Sequence, residues 1–217
     1  MDYSPIITTT ENFVRKHLAG EGTGHDWWHV ERVRNTARHI QQIEGGTLSI
    51  IDLALLLHDV GDRKVIGKDD DDYTIAEDFL RTQNLDEDTI QLIMEIIKNM
   101  SYSQSLNTNE KPVSIEFQIV QDADRLDALG AIGIARAFAF GGSRGRPLYN
   151  PEQAAATHQS RDEYIKSEGS TLHHFDEKLF LLKNLLNTRA AKAIAADRDV
   201  YMHDFYQRFL DEWEGKK

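Results

Sequence analysis

The stretch that most constrains the fold is an apolar run at residues 50–57, IIDLALLL, which ends in the adjacent polar residues His58 and Asp59. Such a run belongs in a protein interior, where an unpaired carboxylate costs on the order of tens of kcal/mol unless it is protonated or meets a counter-charge. A metal cation is one such counter-charge, and it would take the neighbouring imidazole as a ligand. The alternative is a helix end at which Asp59 faces solvent and His58 is hydrogen-bonded in the core.

The sequence pattern predicts an all-α fold, because a period of 3.6 residues runs through the chain and only four Pro occur in 217 residues. A capping box formed by Thr8 and Glu11 predicts the start of a first helix that ends near Gly20. Asp26 is expected to cap a second helix, which the Gly pair beginning at Gly45 should end.

The apolar run itself is predicted to form a central helix, capped by Ser49 and ending around Gly61. The same periodicity predicts further helices at 73–82, 86–100, from 115 towards 130, and at 131–140, 151–167, 171–187 and 188–213. Neither an internal repeat nor a shift in composition divides the sequence. We therefore expect one domain over residues 1–217.

Residues 140–147, FGGSRGRP, interrupt the helical pattern with three Gly and two Arg. A segment of this composition is flexible and positively charged. It is compatible with a linker, with a mobile lid, or with a loop that grips phosphate groups through Arg144 and Arg146.

Composition limits the partners that this chain can have. A net charge of −11 argues against a nucleic-acid or anionic membrane partner, although a bound cation can make one pocket locally positive for a small phosphorylated ligand.

The absence of Cys excludes disulfides, thiolate metal sites and a Cys nucleophile. Neither a signal peptide nor a membrane span is recognisable, so a cytoplasmic protein is expected. The late amphipathic helices are compatible with a homodimer.

Two further segments place polar side chains among apolar ones. His29 shares a helical face with Val33 and Ile40, so it should point inward, either as a ligand or as a core histidine satisfied by a hydrogen bond. Residues 119–129 contain three Asp within six positions, among them Asp124. Each of these carboxylates could instead face water or pair with Arg125.

Four segments together resemble one bacterial branch of the HD-domain superfamily of metal-dependent phosphohydrolases, which are all-helical. They are GHDWWHVERV at 24–33, LHDVGD at 57–62, DADRLDALG at 122–130 and TLHHFDEKL at 171–179. The resemblance runs from about residue 20 to about residue 205, and the branch includes nucleoside-triphosphate pyrophosphohydrolases. It implies that His29, His58, Asp59 and Asp124 are metal ligands.

The chemistry of this ligand set indicates the kind of metal. Two imidazole nitrogens and two carboxylate oxygens suit one divalent ion among Mn, Mg, Co, Ni, Fe and Zn, with Mn or Mg favoured. Octahedral coordination would leave two positions for water and a phosphate oxygen. HD proteins that resemble binuclear enzymes carry extra histidines between the central pair and the final Asp, and here no histidine lies between His58 and His158. One metal ion is therefore expected.

Several residues are candidates for roles around the metal. Asp62 is the predicted catalytic residue, which would accept a proton from water or orient it, and Asp127 is a competing carboxylate beside the ligands. The predicted substrate contacts are Lys64, Arg125, Arg144, Arg146 and His25, with the alternative that the cations simply lie at the surface. Trp27 and Trp28 are expected in the core.

The predicted function is metal-dependent hydrolysis of a phosphoric ester or anhydride, with a nucleotide as substrate. One specific form is conversion of a (d)NTP to a (d)NMP and pyrophosphate. The alternatives are a nucleoside 5′-monophosphatase or phosphodiesterase that uses the same metal, and a non-catalytic module that senses nucleotides.

Overall fold

The computed structural model describes residues 2–20, 24–62, 72–101, 114–156 and 169–217, and the regular structure within these ranges is helical, which confirms the all-α prediction. The helices are α1 (Ser4–His17), α2 (Trp27–Glu44), α3 (Leu48–Leu57), α4 (Thr74–Arg81), α5 (Glu87–Asn99), α6 (Ile115–Asp127), α7 (Gly130–Ser143), α8 (Phe180–Leu182) and α9 (Arg189–Trp213). A π-helical turn, Phe175–Leu179, leads into α8, and a 3-10 turn, Lys183–Leu185, follows it. None of the helices in these ranges combines the length and the hydropathy that crossing a bilayer requires.

Helix α3 lies at the centre of the fold, where α1, α2, α5 and α6 surround it. Every side chain from Ile50 to Leu57 is buried, which explains why the run lacks a polar face. Full burial of a Leu or Ile side chain contributes roughly 1.5–3 kcal/mol. The apolar run therefore fixes α3 in the core and carries His58 and Asp59 into the interior with it.

Asp52, the one acidic residue inside the run, is neutralised by arginines of α2. Arg34 Nε donates to the Asp52 carboxylate at 3.2 Å, and Arg38 Nη2 donates to its other oxygen at 3.1 Å. Arg34 also donates to Glu11 of α1 at 2.8 Å. This buried network joins three helices without a metal ion, whereas the His58 and Asp59 pair lies at the other end of α3.

Two helix ends are where the sequence predicts them. The Asp26 carboxylate accepts a hydrogen bond from the backbone N–H of His29 at 2.9 Å and so caps α2. Gly45 ends the same helix with a φ of +85°, a backbone conformation that favours glycine. These two residues fix the helix that presents His29.

Two predicted starts are wrong. Helix α1 begins at Ser4 and not at Thr8, because Pro5 fits the first helical turn, and the Thr8 hydroxyl donates to the Ser4 carbonyl at 3.0 Å. Helix α3 begins at Leu48, before Ser49. Thr47 occupies the cap position, and its backbone N–H donates to Glu116 of α6 at 2.8 Å.

The Gly-rich segment is more helical than its composition indicates. Helix α7 continues to Ser143, and within it Gly141 packs so closely on Thr171 that a Cβ would lie 2.1 Å from the Thr171 hydroxyl. Residues 151–156 are not helical, and 157–168 lie outside the described ranges, so the helix predicted at 151–167 is wrong where it is described. The one predicted at 171–187 is broken into the short π, α and 3-10 pieces.

Helix α6 carries Asp122 on a different face from Asp124. Asp122 is fully buried, and its carboxylate accepts hydrogen bonds from the backbone N–H groups of Asn187 and Thr188 at 2.9 and 2.8 Å. The Asn187 amide and the Thr188 hydroxyl add bonds of 2.9 and 2.8 Å. Since Thr188 also caps α9, Asp122 anchors the start of the last helix.

We expect Asp122→Ala to lower the free energy of unfolding by about 3 kcal/mol, because it leaves several buried donors without their acceptor. For a chain of this size, that corresponds to a fall in Tm of roughly 6–12 °C. Urea titration and thermal unfolding measure the loss, with the exposed Asp204→Ala as control. A variant with wild-type stability would contradict the anchoring role.

Candidate metal centre

The structure brings the four predicted metal ligands together from three helices. His29 lies in the first turn of α2, His58 and Asp59 follow the last residue of α3, and Asp124 lies in α6. The Nε2 atoms of His29 and His58 are 3.2 Å apart. Carboxylate oxygens of Asp59 and Asp124 lie 3.6 and 3.4 Å from His29 Nε2, and 3.4 and 3.9 Å from His58 Nε2. His29 Nε2 therefore lies within 3.6 Å of a possible ligand atom from each of the other three residues.

Hydrogen bonds to the other ring nitrogens determine what fits between the two imidazoles. His29 Nδ1 is 2.7 Å from an Asp127 carboxylate oxygen, and His58 Nδ1 is 2.7 Å from the Leu55 carbonyl oxygen. Both oxygens are acceptors, so each Nδ1 carries a proton. The two Nε2 atoms then face each other at 3.2 Å, where their lone pairs would repel unless a proton or a metal ion lies between them. With two carboxylates beside them, this donor set fits a divalent metal ion.

The electrostatics of the cluster also favour a positive charge at this point. Burial lowers the pKa of His29, but hydrogen bonds with Asp124 and Asp127 outweigh burial and raise the pKa from 6.5 to about 9. Burial raises the pKa of Asp59, but the charges of His58 and His25 hold it well below its usual range. A proton on His29 and a metal ion therefore compete for the same place among the carboxylates.

Asp127 holds His29, a predicted ligand, in position and is itself held by two arginines. Its carboxylate accepts hydrogen bonds from Arg32 at 2.8 and 3.0 Å and from Arg136 of α7 at 2.8 Å. Burial raises the pKa of Asp127, but the hydrogen bonds from His29 and Arg32 keep it well below its usual range. An ionised carboxylate behind a metal-binding imidazole fixes its tautomer and increases its basicity.

Comparison with known proteins identifies the family. A family model described as HD domain matches residues 27–129. The YpgQ protein of Bacillus subtilis (strain 168) is 36% identical over 204 residues, which cover 93% of this chain and 89% of YpgQ. An HD-superfamily hydrolase from Bacillus thuringiensis has a crystal structure that is 39% identical with a TM-score of 0.75, covering 98% of this chain and 99% of that one.

This chain belongs to the HD superfamily of hydrolases. Two further crystal structures extend the likeness over nearly the whole chain. A Lactobacillus plantarum protein is 39% identical with a TM-score of 0.88, over 99% of this chain and 100% of that one. The structure of B. subtilis YpgQ in complex with ADP is 32% identical with a TM-score of 0.73, over 95% and 96% of the two chains.

His25 of this HD-superfamily chain contacts the carboxylate of Asp59, a predicted ligand. Its Nδ1 lies 3.2 and 3.0 Å from the two oxygens of Asp59. The loop before α2 is fixed at the preceding residue, because Arg136 donates to the Gly24 carbonyl at 2.8 Å. His25, His29 and Asp59 place possible ligand atoms within 4.8 Å of one another, so His25 borders the cation site. Its predicted contact with substrate stays a prediction.

The turn that follows Asp59 requires glycine at position 61. Gly61 has a φ of +107°, and a Cβ there would lie 2.2 Å from the carbonyl oxygen of Asp72. The next residue, Asp62, is half-buried, and its backbone N–H donates to the Asp59 carbonyl at 3.2 Å. The proton-accepting role of Asp62 stays a prediction, and Lys64 lies outside the described residues.

We expect Gly61→Ala to destabilise the fold by at least about 2 kcal/mol and to weaken metal binding, since strain in this turn displaces Asp59. Urea unfolding and Mn²⁺ titration measure the two effects. Gly142→Ala is the matched control, because Gly142 is helical and a Cβ there meets nothing within 4 Å. Equal stability of the two variants would contradict the requirement for glycine.

The predicted arginines make the following contacts among the described residues. Arg125 is buried and donates to the carbonyl of Leu185, on the same face of α6 as Asp122. Arg144 and Arg146 follow α7, where their guanidinium carbons lie 5.4 and 6.0 Å from the centre of the Phe140 ring. Arg144 is eight residues beyond Arg136, or about 12 Å along a helix. Substrate contacts from these arginines stay predictions.

Arg32 and Arg136 are the functional residues that the sequence reasoning missed. Arg32 lies one turn beyond His29 on α2, and this spacing is a signal for a side chain near the same site. Arg136 comes from a helix for which no metal-site residue was predicted, and nothing local marks it. Trp28 also differs from expectation, since it is exposed and not in the core.

Proposed function

We propose that this HD-superfamily hydrolase is a metal-dependent phosphohydrolase that acts on nucleotides and releases pyrophosphate from a (d)NTP. The observation that carries the proposal is the pair of Nε2 atoms at 3.2 Å, each with its other nitrogen committed to an acceptor. Two carboxylates beside them complete a set of donors for one divalent ion, with Mn or Mg favoured.

One side of the site is open to solvent, because the four predicted ligands are not equally buried. The side chains of His29, His58 and Asp59 are at most 5% exposed, whereas that of Asp124 is 30% exposed. Water and a phosphate group would therefore enter beside Asp124. When bound, a divalent ion lowers the pKa of a water molecule and polarises a phosphate oxygen. Asp62 is our candidate for accepting the proton of that water.

One observation supports a nucleotide as the substrate. The related YpgQ protein has been crystallised in complex with ADP. The chain carries a net charge of −11, so a polyphosphate needs a cation at its binding site to overcome repulsion. A metal ion held by the predicted ligands would bind the phosphates and would offset their repulsion by the negatively charged chain.

A panel of (d)NTPs, NMPs and a cyclic diester, each with Mn²⁺, Mg²⁺, Co²⁺ and Ni²⁺, tests the proposal when products are separated by chromatography. We expect pyrophosphate and the monophosphate from a (d)NTP, and no turnover after chelation of the metal. Free phosphate with nucleoside would indicate a monophosphatase, and an opened diester a phosphodiesterase. Metal-dependent binding without turnover would indicate a nucleotide-sensing module.

A further inference from the structure

Arg136 of α7 contacts two places that lie directly behind predicted metal ligands. Its Nη1 donates to Asp127 Oδ2 at 2.8 Å, and its Nη2 donates to the Gly24 carbonyl at 2.8 Å. The side chain of Arg136 is only 20% exposed, so both hydrogen bonds are largely shielded from water. Because the guanidinium is planar and rigid, it holds the two acceptors at a fixed separation.

The first contact leads to His29. The oxygen of Asp127 that Arg136 binds is the same oxygen that lies 2.7 Å from His29 Nδ1. Arg32 of α2 also binds the Asp127 carboxylate, through bonds of 2.8 and 3.0 Å. Asp127 ends α6, so Arg136 adds α7 to a contact between α2 and α6. Its hydrogen bond therefore helps to fix the oxygen that orients the imidazole of His29.

The second contact leads to Asp59. Gly24 immediately precedes His25, whose Nδ1 lies 3.0 and 3.2 Å from the two oxygens of Asp59. Gly24 has a φ of +93°, and a Cβ there would lie 3.4 Å from Arg136 Nε, so the loop backbone runs directly against the guanidinium. The place of the His25 imidazole thus depends on a loop that Arg136 holds by its carbonyl oxygen.

We propose that Arg136 is a positioning residue that sets two predicted metal ligands at once, His29 through Asp127 and Asp59 through His25. This inference rests on the metal centre of the proposed function and adds the residue that joins its two sides. His29 comes from α2 and Asp59 follows α3, so no single helix sets the spacing between them. Arg136 provides a common reference, because residues that hydrogen-bond to metal ligands orient those ligands.

The charge of Arg136 and its positioning role predict opposite effects of its removal. A guanidinium near the site repels a divalent ion, so loss of the charge alone would tighten metal binding. Loss of the two hydrogen bonds would instead release Asp127 and the loop before α2. We expect Arg136→Ala to bind Mn²⁺ about 10- to 100-fold more weakly than the wild type, the range for residues that hydrogen-bond to metal ligands. Calorimetric titration measures this affinity, and Arg208→Ala on α9, which removes an exposed arginine, is the control.

Arg136→Lys separates the two connections. An ammonium group keeps a positive charge beside Asp127, but it lacks the rigid fork that reaches the Gly24 carbonyl at the same time. We expect Arg136→Lys to bind Mn²⁺ less tightly than the wild type and more tightly than Arg136→Ala. In a His25→Ala background, Arg136→Lys should cause no further loss of affinity, because the connection that it breaks is already gone. Losses that simply add would overturn the connection through His25.

The visible absorption spectrum of the Co²⁺-loaded protein distinguishes positioning from a general role in stability, because it reports the geometry of the ligands. At saturating Co²⁺, we expect the spectrum of Arg136→Ala to differ from that of the wild type. Asp122→Ala, which should destabilise the fold at the start of α9, should keep the wild-type spectrum. An unchanged spectrum in Arg136→Ala would mean that Arg136 supports only the fold, which would overturn the positioning role.

The outcomes separate this inference from the proposed function. If the wild-type protein binds no divalent metal, the proposed function fails and the positioning role fails with it. If the wild type binds Mn²⁺ and Arg136→Ala binds it equally or more tightly, only the positioning role is overturned. If the wild type hydrolyses no nucleotide but Arg136→Ala shows the expected loss of Mn²⁺ affinity and change of Co²⁺ spectrum, the positioning role stands and only the proposed function fails.

Discussion

His58→Ala should bind no stoichiometric divalent metal and should lose more than about 100-fold of its hydrolytic activity. Loss of an outer hydrogen-bonding partner already costs 10- to 100-fold in metal affinity or activity, and His58 contributes a donor atom itself. Without it, His29 Nε2 no longer faces a second lone pair at 3.2 Å. Metal analysis after gel filtration and steady-state kinetics measure the two losses.

A thermal shift on metal addition separates this effect from misfolding. Metal at about 1,000 times its Kd stabilises the wild type by about 4 kcal/mol, which raises Tm by roughly 8–16 °C. His58→Ala should fold without metal but gain little on its addition. His203→Ala removes an exposed histidine on α9 and should behave as wild type. Full metal occupancy in His58→Ala would contradict the assignment of His58 as a ligand.

Asp127→Asn should lower metal affinity about 10- to 100-fold although Asp127 provides no ligand in our assignment. The substitution keeps the shape of the side chain but removes the negative charge that His29, Arg32 and Arg136 share. The uncompensated arginines also repel the cation. We also expect the free energy of unfolding to fall, because Asp127 is the only anion in the group that it forms with His29, Arg32 and Arg136.

Metal titration by calorimetry at constant pH, combined with urea unfolding, measures both effects of Asp127→Asn. Asp204→Asn is the control, since Asp204 is exposed on α9. Unchanged metal affinity together with lower stability would show that Asp127 supports the fold and does not tune His29.

The inward position of His29, His58 and Asp59 could be predicted because each lies in a local pattern with few solutions, whereas the resemblance to the HD superfamily is what joins Asp124 to them as a predicted ligand. A capping Asp26 and the apolar face of α2 orient His29, and the apolar run carries His58 and Asp59 inward. What the sequence cannot show is how closely these helices approach, because that depends on packing between distant segments. The spacing of the Nε2 atoms therefore comes only from the structure.

Where side chains lie elsewhere than the sequence indicates, the physical reasons are tertiary contacts. Arg125 follows Asp124 directly but lies about 100° further round α6, so it shares the face of Asp122 and reaches Leu185. Gly141 lies within α7, where close packing on Thr171 leaves no room for a Cβ. For both residues the contacting neighbour is remote in sequence. Trp28 is exposed although tryptophan is a large apolar residue.

The most direct test of the central claim is a crystal structure of the Mn²⁺-loaded protein with anomalous diffraction measured for manganese. We predict one anomalous peak per chain, bonded to His29 Nε2, His58 Nε2 and carboxylate oxygens of Asp59 and Asp124. Absence of a peak between the two imidazoles, or a peak bound by only one of the three helices, would contradict the account.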